Sequence, residues 1–176
     1  MPFEDSSKGA TEVHTPTVVG ATIDTVTYKY GNGSGYWFGN ALVSFPASDD
    51  WTFGTNDLTM SVWMYIQSPK VNQSFGLCHR VDPNNQTTLT IGSFLLWARQ
   101  YINVTLGNVV GGIIQVRIGY ADYRELSTGW HHIEVSRDST SGYVFIDGIK
   151  QTLNNGNKYN GNMPNYNVPL ISGYIS

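Results

Sequence analysis

Apolar and polar residues alternate with a period of two through much of this chain. LTMSVWMYI, Leu58–Ile66, carries the clearest run: Leu58, Met60, Val62, Met64 and Ile66 fall on one face of a strand, and Thr59, Ser61, Trp63 and Tyr65 on the other. Val18-Val19 and residues 22–30 predict short β segments, and GNGSG at 31–35 a loop. Residues 36–45 predict a strand broken at Gly39-Asn40 and stopped by Pro46. Further strands are predicted at 74–81, 87–91, 93–99, 102–106, 113–118, 130–137 and 143–147, after which Asp147-Gly148 turns the chain into 149–153. No amphipathic helix stands out, because each short 3.6-period match is interrupted by glycine or a β-branched run. Roughly a dozen short strands spaced by turns predict an all-β sandwich.

Composition narrows this picture. In 176 residues, enough for one domain with a core of its own, charged residues make up 13%, about half of the roughly 25% usual in globular chains. Tyr, Asn, Ser, Thr and Gly supply the remaining polarity. The formal net charge of −3 has no basic run in it, which argues against nucleic-acid binding through phosphate contacts. Apolar runs are too short for a helical membrane span. The N-terminal MPFEDSSKGATEVH lacks an apolar h-region, so no signal peptide is expected. Cys78 is the single cysteine and cannot form an intrachain disulfide. In the run SFGLC it reads as a small buried hydrophobe rather than a nucleophile.

Two long stretches carry a family resemblance. FGNALVSFPASDDWTFGTNDLTMSVWMYI, residues 38–66, resembles the first signature of laminin-G-like domains in the concanavalin A-like lectin/glucanase superfamily, roughly F-D-G … Y-L-x-V-P followed by D-x-x-F-G-T-G-D-F-T-I-E-x-W-V. GWHHIEVSRDSTSGYVFIDGIKQ, residues 129–151, resembles the second, W-H-H-V-A-V-x-R … L-x-V-D-G. The DSSKGATEVH lead-in from Asp5 is similar to that of such domains in phage and metagenomic proteins. The resemblance implies one laminin-G-like domain over residues 1–176, a jelly-roll β-sandwich of two curved antiparallel sheets. It departs in three places. Gly39 stands where the family has Asp, Glu134 stands where a small residue is common, and PLISGYIS ends the chain where a last strand resembling G-x-I-D-D-I-R-I is usual. An edge left open in this way is a place for another strand or subunit to pair.

Candidate chemistry is sparse. Strand alternation sends His131 and His132 to opposite faces, so the pair cannot hold one metal ion, and His14, His79 and Cys78 do not cluster with them by spacing. The family signature makes both histidines scaffold residues, with His132 and Trp130 expected inside and His131 near the surface. Glycosidases on this fold carry alternating carboxylates as E-x-D-x-x-E, and none of Glu4, Glu12, Glu125 or Glu134 begins that pattern. A lyase-like Tyr/His pair has no local motif to support it. A non-enzymatic protein with no catalytic residue is therefore expected. No cofactor is expected, although calcium is common at a rim loop in the family; Asp49, Asp50 and Asp57 offer hard oxygens there, or make ordinary turn contacts.

Sugar binding calls for exposed aromatic rings. NNGNKYNGNMPNYN, residues 154–167, cannot build a core and predicts a long exposed loop, which makes Tyr159 and Tyr166 the preferred platforms. Trp63, Tyr65 and Trp97 are further candidates, although the ordinary place of a sandwich tryptophan is the core. The expected function is a virion structural, decoration or tail-associated protein with glycan-binding capacity. Its partners would be other virion proteins, further copies of itself and host-surface glycans. An extracellular carbohydrate-binding module and a polysaccharide-degrading enzyme are the alternatives.

Overall fold

The computed structural model describes residues 14–51, 55–67, 75–80, 94–98, 101–106, 109–110, 113–114, 119–122, 127–138, 141–152 and 169–173, with the backbone alone between 75 and 122. The chain begins with β1 (Thr17–Val19), β2 (Thr22–Asp24), β3 (Ser34–Tyr36) and β4 (Leu42–Phe45). A single 3-10 turn, Asp49–Trp51, precedes the long β5 (Leu58–Ile66). Then come β6 (Phe75–Arg80), β7 (Phe94–Ala98), β8 (Tyr101–Leu106), β9 (Val109–Val110), β10 (Ile113–Ile114) and β11 (Gly119–Asp122). Last are β12 (Gly129–Arg137), β13 (Gly142–Ile146), β14 (Ile149–Lys150) and β15 (Leu170–Gly173). Seven strands form one sheet in the order β1-β4-β15-β6-β7-β8-β11, and four form another in the order β14-β13-β12-β5. The ribbons β2-β3 and β9-β10 complete the described strands, and neighbouring strands pair antiparallel throughout.

In the smaller sheet the period-two pattern decides which side is buried. Leu58 and Ile66 of β5, Ile133 and Val135 of β12, and Val144 and Ile146 of β13 are buried, while their sequence neighbours are half-buried or exposed. Register brings like with like: Ile133 lies opposite Val62 and Ile146, and Val135 opposite Met60 and Val144. Ile133, Val135 and Val144 are wholly enclosed, each contributing about 1.5–3 kcal/mol of apolar burial. In the larger sheet Val43, Phe45 and Leu170 form a core cluster with Ala21, Trp37 and Trp51 packed against it.

Three expectations are corrected. The strand expected over 22–30 ends at Asp24, because the Asp24 carboxylate accepts the backbone N–H groups of Val26 (2.8 Å) and Thr27 (3.1 Å) and bends the chain there. On β12 the buried residue is His131, 7% exposed, and Trp130 and His132 lie on the half-buried outer side. Ile133 and Val135 fix that parity, and a carboxylate partner makes the buried imidazole tolerable. Residues 170–173, read as the end of the pattern, form an interior strand, with Leu170 opposite Phe45 and Ile171 opposite His79. The backbones of β4 and β15 meet so closely that Gly173, at φ 125°, has no room for a Cβ: one would lie 2.4 Å from the Ala41 carbonyl oxygen. The strand expected at 87–91 and the loop at 154–167 lie outside the described residues.

Candidate functional site

The paired histidines and the Asp-Gly turn belong to one arrangement. Asp147, at φ 52° in the turn between β13 and β14, folds its carboxylate back onto β12. Oδ1 accepts the His132 backbone N–H (2.8 Å), Oδ2 accepts His131 Nδ1–H (2.7 Å), and the Asp147 N–H donates to the His132 carbonyl (2.8 Å). His131 Nε2 meets the Ser127 carbonyl at 2.9 Å. Both ring nitrogens therefore face acceptors, an environment that suits the imidazolium. Burial opposes that charge, but the bonds to Asp147 and Ser127 and the Asp147 charge outweigh it, and the His131 pKa is raised. Burial likewise opposes the Asp147 charge, and the His131 ring and the His132 N–H overcome it, so its pKa is lowered. With both nitrogens occupied and the ring buried, His131 ties a turn to a strand; it has no nitrogen left for acid–base chemistry on a ligand.

The outer side of the same sheet carries a row of rings. Trp63 lies opposite His132, with centroids 5.0 Å apart, and Tyr65 opposite Trp130, with centroids 5.3 Å apart in a T-shaped contact. Since Trp63 and Tyr65 are two residues apart on β5, and Trp130 and His132 two apart on β12, the four rings form a two-by-two block on one face. Tyr65 is 38% exposed. Tyr30, 67% exposed, meets Trp63 edge-on at 5.8 Å, and the Lys29 ammonium sits over the Trp63 ring, 4.4 Å from its centroid. Lys29 and Tyr30 come from the tip between β2 and β3. Asp24 holds one side of that tip, as described above, and Ser34 Oγ–H donates to the Thr27 carbonyl (2.6 Å) on the other. The two N–H bonds, that from Val26 first, also keep the Asp24 pKa below its ordinary value.

Beyond the rings the face turns polar: Thr59 and Ser61 on β5, and Glu134 and Ser136 on β12. Phe145 and Tyr143 of β13 follow, with Lys150 over the Tyr143 ring at 4.3 Å. Of the residues singled out in the sequence, Trp63 and Tyr65 are brought together here. Trp97 is in β7, whose side chains lie outside the description, as do Tyr159 and Tyr166. Asp49 and Asp50 sit in the 3-10 turn, and Asp57 just before β5. Asp50 Oδ2 bonds His14 Nε2 at 2.7 Å, and the His14 ring meets Trp51 at a tilt, centroids 5.0 Å apart. Among the described residues no three His, Cys, Asp or Glu side chains gather as a metal site. Reasoning from sequence missed Lys29, Tyr30, Trp130 and His132. The last two share the aromatic parity of β5 only once β12 is known to pair with it, and the first two were assigned to a strand.

No family model and no curated protein matches this sequence. Solved structures do match. The botulinum neurotoxin serotype D binding domain superposes with a TM-score of 0.57 at 12% identity, over 93% of this chain and 43% of its own. Domain 4 of AbnA, a GH43 extracellular arabinanase from Geobacillus stearothermophilus solved with arabinotriose, superposes with a TM-score of 0.51 at 14% identity, over 96% of this chain and 78% of its own. The likeness is one of fold: an all-β, jelly-roll-like sandwich built of antiparallel sheets. An alginate lyase of polysaccharide lyase family 7 aligns at 11% identity and a TM-score of 0.43, over 76% of this chain and 56% of its own. The chain spans about half the length of the toxin domain and of the lyase. Among the described residues no helix is long and apolar enough to cross a membrane.

Proposed function

We propose that this chain is a non-catalytic glycan-binding module of laminin-G-like type, using the outer face of the four-stranded sheet. The observation that carries the reading is the aromatic block, with Tyr65 open to solvent and hydroxyl and carboxylate groups beside it. A sugar offers a weakly polar C–H face and a rim of hydroxyls. It needs flat rings to stack on and fixed polar groups at their edge, and the block and its border supply both. Two neighbours in fold, an arabinanase domain solved with arabinotriose and a toxin binding domain, accord with a binding role. The setting proposed with it is a virion surface, where the module decorates a particle or tail among copies of itself. The lead-in from Asp5 is the ground for that, and head, tail or fibre genes beside its own would support it.

A glycan array followed by calorimetric titration of the best sugar tests the binding role. Tyr65→Ala or Trp130→Ala should weaken binding about tenfold or more, roughly 1.4 kcal/mol. Both positions lie on the outer face, so the chain should still fold, with stability lowered by about 1 kcal/mol for the lost ring contact. Loss on Tyr159→Ala or Tyr166→Ala, with Tyr65→Ala silent, would move the site to residues 154–167. Turnover of a polysaccharide by the purified chain would overturn the non-catalytic reading.

A further inference from the structure

Lys29 is held over an aromatic ring rather than extended into water. A lysine on a loop tip ordinarily extends into water. Here the tip is pinned from both sides by Asp24 and Ser34, and the ammonium lies over the Trp63 ring. It also lies over the neighbouring Tyr30 ring, 5.9 Å from the centroid, and among the described residues no carboxylate pairs with it. The contact places a positive charge over Trp63, one ring pair along the same face from Tyr65 and Trp130. It also covers one face of the Trp63 ring, the ring a neutral sugar would otherwise stack on. Overall charge does not account for this, since the chain is net negative and Glu134 lies on the same face beyond the His132–Trp63 pair; the positive charge is that of Lys29 alone at the Trp63 ring.

We infer that the aromatic face selects anionic sugars, carboxylated or sulfated, with Tyr65 and Trp130 as the stacking platform and Lys29 as the cation that receives the acidic substituent. This rests on the glycan-binding reading and adds the ligand class to it. The ammonium donates up to three hydrogen bonds, and a carboxylate or sulfate ester matches them where a hydroxyl matches them weakly. The ammonium need not leave Trp63, because a ring face and an anion approach it from opposite sides.

The test titrates the full chain with three oligosaccharides of equal length: oligogalacturonate, a sulfated galacto-oligosaccharide and the neutral galacto-oligosaccharide. Wild type is compared with Lys29→Gln, Lys29→Arg and Tyr65→Ala. The expected result is at least tenfold tighter binding of one or both acidic sugars, abolished by Lys29→Gln, largely kept by Lys29→Arg, and weakened by added salt, since the contact is exposed. Which acidic arm binds tells carboxylate from sulfate. Equal binding of neutral and acidic sugars, lost in Tyr65→Ala but indifferent to Lys29→Gln, would overturn the ligand class and leave the glycan-binding reading standing. No binding of any sugar on these arms or on the array would overturn both. Unchanged thermal unfolding of Lys29→Gln separates a lost contact from a lost fold.

Discussion

Asp147 concentrates several demands in one side chain. It occupies a left-handed turn position, accepts a backbone N–H from the neighbouring strand, and hydrogen-bonds the buried His131 ring. Asn tolerates the same backbone angle, so Asp147→Asn removes the charge while keeping the turn. It should lower the His131 pKa in a histidine-resolved NMR titration and lower stability by about 1 kcal/mol, the modest end of the range for a charged hydrogen bond because Asp147 is partly exposed. Stability should also depend on pH. The raised His131 pKa means its contribution is complete below the ordinary value near 6.5 and is lost as pH rises through the folded value. The lowered Asp147 pKa means its contribution is complete above about 3.8 and is lost as pH falls through its folded value. Urea midpoints should therefore be highest in mildly acidic buffer and decline toward neutral and alkaline pH. A decline of the same size in Asp147→Asn would assign the pH dependence to another group. In the sequence the W-H-H and D-G residues fall within one family signature, as a strand and a hairpin turn, but neither the bond from His131 to Asp147 nor which histidine is buried could be read from it. Alternation fixes only that the two point apart; the choice of side comes from Ile133 and Val135 meeting β5 and β13.

At the scale of elements, legibility followed the regularity of the pattern. β5 was readable to the residue, because nine residues alternate without a break, and β12 to within one. β2 was overextended, since β-branched residues continue beyond Asp24 and only the carboxylate's hydrogen bonds reveal the turn. β15 was missed altogether: LISG is four residues, two of them Ser and Gly, and its strand character comes from the partners on each side. The tight passage of Gly173 against Ala41 gives this element its own prediction. Gly173→Ala would press a methyl group onto the Ala41 carbonyl and the Leu42 Cα while straining a backbone angle of 125°. Its cost should be about 2–4 kcal/mol in chemical denaturation, the range for overpacking joined to backbone strain. Gly148→Ala, with a positive angle but nothing near its Cβ, should cost less, about 1 kcal/mol. Equal losses at the two positions would show that close packing of β15 on β4 is not what requires glycine.

The whole molecule joins a seven-stranded sheet, whose middle is completed late in the chain, to a four-stranded sheet whose strands follow β5 and then run consecutively. Both binding proposals depend on the smaller sheet and on the β2–β3 tip. Deleting residues 169–176 tests how far the sheets depend on one another. Removal of β15 takes Leu170 from the Val43–Phe45 cluster and leaves β4 and β6 without the strand between them. The truncated chain should lose cooperative thermal unfolding by calorimetry; a sharp transition at an unchanged midpoint would mean that β15 is dispensable.

The position of β15 also has a consequence for synthesis. β4 and β6 leave the ribosome long before the strand that joins them. Until residues 170–173 are translated, both present backbone donors and acceptors with no neighbour. The larger sheet therefore cannot close on the growing chain as its strands emerge. Its completion is timed by the end of translation of this segment, and for that interval the gap is open to any extended strand, including the equivalent segment of another nascent copy.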